Sequence, residues 1–84
     1  MYTVIYDDES LQNLEKLEKK FRKRIFQKIN SAKENPFRYF ERLTGRNEFK
    51  LRVGDYRVIA DIDETAKKIS VLVIGHRKNI YKKL

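Results

Sequence analysis

The pattern that decides the fold is the stretch Phe49-Lys50-Leu51-Arg52-Val53-Gly54-Asp55-Tyr56-Arg57-Val58. Apolar and charged residues alternate from Phe49 to Val53, and a period of two is typical of a half-buried β-strand. Gly54 and Asp55 form a two-residue hairpin signal, in which glycine suits the first position of a type II′ turn. The stretch therefore predicts a β-hairpin whose second strand begins at Tyr56.

This hairpin also suggests a binding site. A two-residue turn places Arg52 directly opposite Arg57, on the face that the apolar residues of the first strand do not use. Two like charges at opposed positions are unfavourable unless an anion lies between them. Arg77 follows a later strand and should approach Arg57 if that strand lies beside the hairpin. We therefore expect a cationic cup that binds phosphate, and the alternative is that the strand arginines simply point into water.

The first half of the chain predicts a strand and two helices. Tyr2 to Tyr6 is rich in β-branched and aromatic residues, which indicates a strand, and Asp7 to Ser10 can cap a helix start. Apolar residues then recur at helical spacing as far as Ala32. A single helix of that length would be a rod of roughly 40 Å, so we expect a helical hairpin with a turn near Glu18 to Lys20. Asn35-Pro36 ends the second helix.

The second half predicts a connector at Phe37 to Asn47, three strands and a short tail. Asp63 to Lys68 is a polar turn, and Ile69 to Ile74 is nearly all apolar, as a central strand covered on both faces would be. Asn79 to Leu84 can form one closing helical turn. The predicted fold is α+β with the order β-α-α-β-β-β and a short C-terminal helical tail. Its antiparallel sheet should be covered on one face by the α-hairpin.

Length and composition limit the class of protein. Eighty-four residues suffice for one small domain, which we place at 1–84. The chain has no cysteine, which excludes disulfides, zinc–thiolate sites and thiol nucleophiles. No apolar run approaches the roughly 20 residues of a membrane span, and the N-terminal stretch is acidic where a signal peptide is basic. We expect a cytoplasmic protein without membrane association.

The charge of the chain points to a polyanionic partner. Lysine and arginine number 20 against 12 acids, for a formal net charge of +8, and Lys67 to Leu84 contains no acid. Such an excess favours nucleic acid as a partner, and a solvated helix face is the alternative interpretation.

The usual catalytic motifs are missing. His76 is the only histidine, and there is no nucleophile elbow or glycine-rich phosphate loop. Asp61, Asp63 and Glu64 are better explained as strand-end and turn residues than as metal ligands. Cleavage of RNA by the 2′-hydroxyl of the RNA itself requires fewer catalytic groups from the protein. The protein only aligns that hydroxyl, neutralises charge on the phosphorane and transfers two protons. Arginines and a tyrosine suffice, so we expect neither a metal nor another cofactor.

In the order and spacing of its motifs the chain resembles the RelE/ParE superfamily of toxins from prokaryotic toxin–antitoxin systems, and most closely the RelE branch. The motifs are the opening strand, the helical pair, Asn35-Pro36, Leu43-Thr44-Gly45, the hairpin stretch and Gly75-His76-Arg77-Lys78-Asn79-Ile80-Tyr81. The resemblance implies a ribosome-dependent endoribonuclease that cuts mRNA in the A site, without a metal, and leaves a 2′,3′-cyclic phosphate and a 5′-hydroxyl.

The resemblance also implies partners. A RelB-like antitoxin would wrap the toxin and block its basic face in a heterodimer or heterotetramer. Promoter DNA would be bound only by that complex, and the ribosome and its mRNA would be the targets. The alternative is a ParE-like protein that inhibits DNA gyrase without catalysis of its own.

Residue roles follow from the same resemblance. Arg57 and Arg77 resemble the arginines that stabilise the transition-state phosphate. Lys50 resembles a strand lysine that contributes charge and possible proton transfer, and Tyr81 the C-terminal tyrosine that stacks on or protonates the substrate. Further RNA contacts are expected from the neighbouring residues Arg52, His76, Lys78 and Lys82. His76 has an alternative role as a strand-end residue with a structural hydrogen bond.

The general base stays open at this point. Where RelE carries a second strand lysine, this chain has Glu48. Relatives of the YoeB kind use a glutamate just before the first hairpin strand, and Glu41 falls near that position. The candidates are therefore Glu41, Glu48 and Lys50, and the alternative for both glutamates is a position on a solvated helix or strand surface.

Overall fold

The computed structural model describes residues 1–84 and contains one five-stranded sheet in the order β1-β5-β4-β3-β2. The elements in chain order are β1 (Thr3–Tyr6), α1 (Asp8–Glu15), α2 (Lys19–Ala32), a 3₁₀ turn (Pro36–Arg38), β2 (Glu41–Arg42), β3 (Phe49–Val53), β4 (Tyr56–Asp63), β5 (Lys68–His76) and a C-terminal 3₁₀ helix (Ile80–Lys83). The α+β fold, the helical pair, the hairpin and the helical tail are confirmed. Neither α-helix has the length and apolar character that a membrane span requires.

The helical hairpin turns slightly earlier than its sequence pattern predicts. α1 begins with an Asp7 cap, whose carboxylate accepts a hydrogen bond from the backbone N–H of Ser10 at 3.0 Å. It ends at Glu15, and α2 begins after Glu18, whose backbone is extended. The break at residues 16–18 has no glycine or proline. It is therefore made by tertiary packing of two amphipathic faces, which propensity alone does not locate.

The prediction of an antiparallel sheet is confirmed for β3 to β5 and wrong for β1. β1 pairs with β5 in parallel, with Thr3 opposite Lys68. Both helices and three strands separate β1 from β5, so no hairpin turn fixes their relative direction, and residue patterning carries no signal for it. The connector predicted at Phe37 to Asn47 also contains β2, whose two residues pair with β3 and are too few to show a period.

The helices cover one face of the sheet and form the larger core. Leu14 of α1 and Ile25 and Ile29 of α2 are buried in one cluster with the inward residues of β3, β4 and β5. α1 is also fixed to the sheet by a polar contact, because the side-chain oxygen of Asn13 accepts the backbone N–H of Ile74 at 2.9 Å. The predicted cover on one face is confirmed.

The opposite face carries a smaller core under the C-terminal 3₁₀ helix. Ile80 is fully buried there with Leu43, Ile59 and Val73. Gly75 makes room for it, since a Cβ at that position would lie 3.1 Å from the Cδ1 atom of Ile80. β5 is thus covered on both faces, as its apolar run predicts. The rest of this second face, which we call the open face, carries the outward residues of β3 and β4.

Candidate functional site

The hairpin has the predicted register. Val53 pairs with Tyr56 and Arg52 with Arg57, around a two-residue turn. Gly54 has a φ of +58°, whereas the φ of Asp55 is not positive, which is the pattern of a type II′ turn. Because side chains alternate along a strand, the buried residues of β3 leave Lys50, Arg52 and Arg57 on the open face.

Arg57 is held against the hairpin turn. Its Nη1 atom donates to the carbonyl oxygens of Gly54 and Tyr56, each at 2.8 Å. A guanidinium has five N–H donors, so the rest of this group is free to bind an anion.

Arg77 reaches the same turn from the end of β5. Its backbone N–H donates to the carbonyl oxygen of Asp55 at 2.7 Å, and its Nε atom lies 3.4 Å from the Asp55 carboxylate. Both side chains of this ion pair are more than half exposed, so water screens it and its net stabilisation is small. The structure thus brings Arg57 and Arg77 to one two-residue turn, as the predicted cup requires.

A pocket of about 400 Å³ lies between β3 and the C-terminal 3₁₀ helix. It is lined by Leu43, Thr44, Arg46, Lys50, Tyr81 and Leu84. Lys50 is the cross-strand neighbour of Ile59 and therefore diagonal to Arg57, a relation that separates Cα atoms by about 7 to 8 Å. Long side chains span that distance. Lys50 and Tyr81 therefore share one pocket, and Lys50 is the residue that links this pocket to Arg57.

Glu48 is occupied by an ion pair. The Nε and Nη2 atoms of Arg46 donate to its two carboxylate oxygens at 2.9 and 3.1 Å. This two-point hydrogen bond lowers the pKa of Glu48 and raises the pKa of Arg46. A carboxylate that holds its proton less tightly is a weaker base, so Glu48 is the poorer of the two carboxylate candidates.

Glu41 lies beside Lys50. It is the cross-strand partner of Lys50 in the β2–β3 pair, and residues at paired positions share a face. Its side chain is exposed and forms neither an ion pair nor a hydrogen bond. The row across this side of the sheet is therefore Glu41, Lys50, Ile59 and Val73, of which the last two are buried under the C-terminal 3₁₀ helix.

His76 lies on the other side of the sheet. It pairs with Tyr56, whose ring packs toward α2 against Phe21, and the Tyr56 and His76 rings meet edge to face with centroids 5.8 Å apart. Its Nδ1 atom accepts the backbone N–H of Lys78 at 3.2 Å. The hydrogen bond closes the turn after β5. These contacts place His76 away from the open face that carries Arg57.

The other predicted RNA contacts, Arg52, Lys78 and Lys82, lie on three different segments. Arg52 lies on β3 past the end of β2, where β3 is the edge of the sheet, and its side chain is exposed. Lys78 follows Arg77 in the turn after β5, and Lys82 lies on the C-terminal 3₁₀ helix next to Tyr81. Both lysines are exposed. The structure thus places these three cations on β3, in the turn after β5 and on the C-terminal 3₁₀ helix, and none of them forms an ion pair.

Sequence reasoning missed two residues of the site. Asp55, predicted only as a turn residue, is the acid in contact with Arg77. Arg46 lines the pocket and forms an ion pair with Glu48, which its sequence context does not predict. An acid in a two-residue turn beside predicted phosphate-binding arginines was a usable signal for Asp55. No sequence signal marks Arg46, because its partner is set by the conformation of the loop before β3.

A family model described as the ParE toxin of type II toxin–antitoxin systems matches residues 4–81 of the chain. RelE4 of Methanocaldococcus jannaschii is 33% identical over 78 residues, which cover 90% of this chain and 83% of that protein. The chain therefore belongs to the RelE/ParE superfamily of type II toxin–antitoxin toxins, as its motifs predict.

Solved structures share the fold at lower identity. A chain of the toxin–antitoxin complex RelBE2 from Mycobacterium tuberculosis matches with a TM-score of 0.81 and 24% identity, covering 90% of this chain and 98% of that one. The isolated RelE toxin of E. coli matches with a TM-score of 0.75 and 17% identity over the full length of both chains. A chain of the RelB–RelE complex from Methanococcus jannaschii matches at 0.74 and 21%, covering 95% and 98%.

Proposed function

We propose that the protein is a metal-independent endoribonuclease that cleaves mRNA in the ribosomal A site. The observation that carries the proposal is the meeting of Arg57 and Arg77 at one hairpin turn, on the same hairpin as Lys50, which shares a pocket with Tyr81. Arginine N–H groups suit the oxygens of a phosphodiester, and a lysine and a tyrosine supply the proton-exchanging groups that the reaction needs.

The reaction requires one nucleophile, which the RNA supplies. The 2′-oxygen attacks the adjacent phosphorus as a base removes its proton, and the bond to the 5′-oxygen breaks. The leaving oxygen takes a proton, for which Tyr81 is the proposed donor. The products are a 2′,3′-cyclic phosphate and a 5′-hydroxyl, and no water is consumed. Arg57 and Arg77 would stabilise the added negative charge on the phosphorane.

We propose Glu41 as the general base, because it is unpaired and lies across from Lys50, whereas Glu48 is held by Arg46. Glu41→Gln should lower the cleavage rate by about 10², the lower end of the range for a lost general base. The matched variant Glu48→Gln should change the rate less than about threefold. The measurement is the single-turnover cleavage rate at saturating protein. If Glu48→Gln is the slower of the two variants, the assignment is reversed.

The proposed partners follow the family. The solved complexes named above pair RelE with RelB, and we propose that a RelB-like antitoxin covers the basic open face of this chain. Promoter DNA would then be bound only by the toxin–antitoxin complex. The reducing interior of the cytoplasm, where ribosomes and mRNA lie, is the proposed location, and the absence of cysteine is compatible with it.

The direct test is to map mRNA 5′ ends in a purified translation system with and without the protein. We expect cuts only on ribosome-bound mRNA, with new 5′ ends that carry a hydroxyl. The control is the same mRNA incubated with the protein in the absence of ribosomes. Intact mRNA in both reactions contradicts the proposal.

A second candidate is suggested by the ParE description of the matching family model, and it is inhibition of DNA gyrase without catalysis. It would use the same fold, but it assigns no role to a pocket that joins Lys50 and Tyr81. DNA supercoiling by purified gyrase separates the two functions. A gyrase inhibitor should stop supercoiling and leave mRNA whole, whereas the proposed nuclease should leave gyrase active.

A further inference from the structure

A second basic pocket lies on the other side of the hairpin from the C-terminal 3₁₀ helix. It has a volume of about 290 Å³ and opens between α2 and the end of β3. We call it the α2–hairpin pocket, and its polar lining comes from Arg24, Gln27, Lys28 and Ser31 of α2 and from Arg52 and Gly54 of the hairpin. The four α2 residues are spaced by three and four positions and therefore share one stripe of the helix.

The pocket is cationic without compensation. Arg24, Lys28 and Arg52 line it together, and no acidic residue does. None of the three forms an ion pair, since the two ion pairs of the structure are Arg46–Glu48 and Arg77–Asp55. α2 itself contains six basic residues and no acidic one. Like charges four residues apart on a helix destabilise it, so this arrangement is unfavourable unless an anion occupies the pocket.

The donors of the pocket are partly fixed in place. The Nη2 atom of Arg24 would lie 3.3 Å from a Cβ at position 54, so the missing side chain of Gly54 is what lets the guanidinium lie against the turn. The ammonium group of Lys28 lies over the Tyr39 ring, 5.6 Å from its centre. The Ser31 hydroxyl donates to the backbone carbonyl oxygen of Gln27 at 3.0 Å. The side-chain amide of Gln27 is therefore the remaining neutral donor of the pocket.

Arg52 connects the α2–hairpin pocket to the open face. It lines the pocket and is also the cross-strand partner of Arg57, and β3 has no neighbour strand at this point. An extended polyanion bound by Arg57 therefore meets further cations if it passes around the edge of β3. A small isolated anion could not contact both groups of cations at once.

We propose that the α2–hairpin pocket binds a backbone phosphate of RNA, as a second anchor separate from the phosphate that is cleaved. The choice of RNA as the polyanion rests on the proposed function, whereas the anion site rests only on the geometry of α2 and the hairpin. The pocket adds affinity and orientation for the nucleic acid and takes no part in proton transfer.

The test uses the double variant Arg24→Gln/Lys28→Gln and the matched double variant Lys19→Gln/Lys23→Gln. The control pair removes the same charge from exposed positions of the same helix that do not line the pocket. The probe is a synthetic RNA hairpin with 2′-O-methyl groups, which cannot be cleaved, and binding is followed by fluorescence anisotropy at several salt concentrations. Thermal melts check that both variants are folded.

We expect the pocket variant to bind the RNA about tenfold more weakly and to lower the slope of log K against log salt by about 1 to 2, with the control changed less than threefold. Equal losses in the two variants would show diffuse attraction, and an unchanged pocket variant would show no site, so either result overturns the proposal. Cleavage on ribosomes is measured separately on the wild-type protein. Its absence would refute the nuclease function and leave the binding comparison valid.

Discussion

Replacing Arg77 by alanine is expected to lower the rate of mRNA cleavage by about 10² to 10³ while leaving the fold intact. The magnitude is that of one lost donor to a developing anionic charge, about 3 to 4 kcal/mol of barrier. The fold should survive because the Arg77 side chain is 55% exposed and its ion pair with Asp55 is at the surface. The backbone N–H that bonds to Asp55 is unaffected by the substitution. The measurement is the single-turnover rate on ribosome-bound mRNA.

The control for this experiment is Lys68→Ala. Lys68 is the first residue of β5, and Arg77 directly follows the last one. The variant therefore removes one positive charge from an exposed position at the far end of the same strand. Its rate should stay within about twofold of the wild type, because the site is local. If Arg77→Ala cleaves as fast as Lys68→Ala, then Arg77 is not part of the reactive site and the proposed role of the hairpin turn is wrong.

Replacing Ile80 by alanine is expected to destabilise the protein by about 2 to 5 kcal/mol, the range for a fully buried isoleucine. Ile80 is the residue that holds the C-terminal 3₁₀ helix against Ile59 and Val73. The total free energy of unfolding of a domain of this size is roughly 5 to 15 kcal/mol, so this loss is a large fraction of it. Because Tyr81 follows Ile80 directly, cleavage should fall as well. Urea denaturation gives the free energy of unfolding, and the rate is measured where the variant is folded.

The matched control is Leu11→Ala on α1. Leu11 is 44% exposed, so a side chain of the same volume is removed at a position that is not enclosed. This substitution should lower the free energy of unfolding by less than about 1 kcal/mol, because less transfer free energy is lost and no cavity forms. An Ile80 variant as stable as this control would mean that the 3₁₀ helix is not anchored by Ile80. Unchanged cleavage in a destabilised Ile80 variant would remove Tyr81 from the proposed mechanism.

The hairpin could be predicted in detail because its signals are local. Alternation along β3 and the dipeptide Gly54-Asp55 together fix both the turn and the register, and the opposition of Arg52 and Arg57 follows from them. Lys50 was placed on the open face by the same alternation. The hairpin part of the candidate site, with Lys50, Arg52 and Arg57, could therefore be predicted from ten consecutive residues, whereas Arg77 lies outside them.

The parts that sequence reasoning missed depend on contacts between distant segments. β1 has a clear strand pattern, but a pattern of side chains has no direction, so its parallel pairing with β5 was not predicted. Glu41 and Glu48 could not be ranked, because the difference between them is the Arg46 ion pair in a loop. The approach of Arg24 to Gly54 likewise depends on how α2 packs on β3.

The contact between Asn13 and β5 has a consequence for how copies of the chain meet one another. β1 pairs with β5 only as far as Val71. Beyond that residue, the N–H of Ile74 donates to the side-chain oxygen of Asn13 instead of to a strand. The opposite margin of the sheet ends in the two residues of β2 and the exposed charge of Arg52. Unpaired edge strands are templates for aggregation. Short edge strands, covered backbone amides and charged side chains are the usual protections against it. The edge strands β1 and β2 have only four and two residues, so neither edge offers a long row of free amides, and the isolated protein should resist fibril formation by edge-to-edge strand pairing.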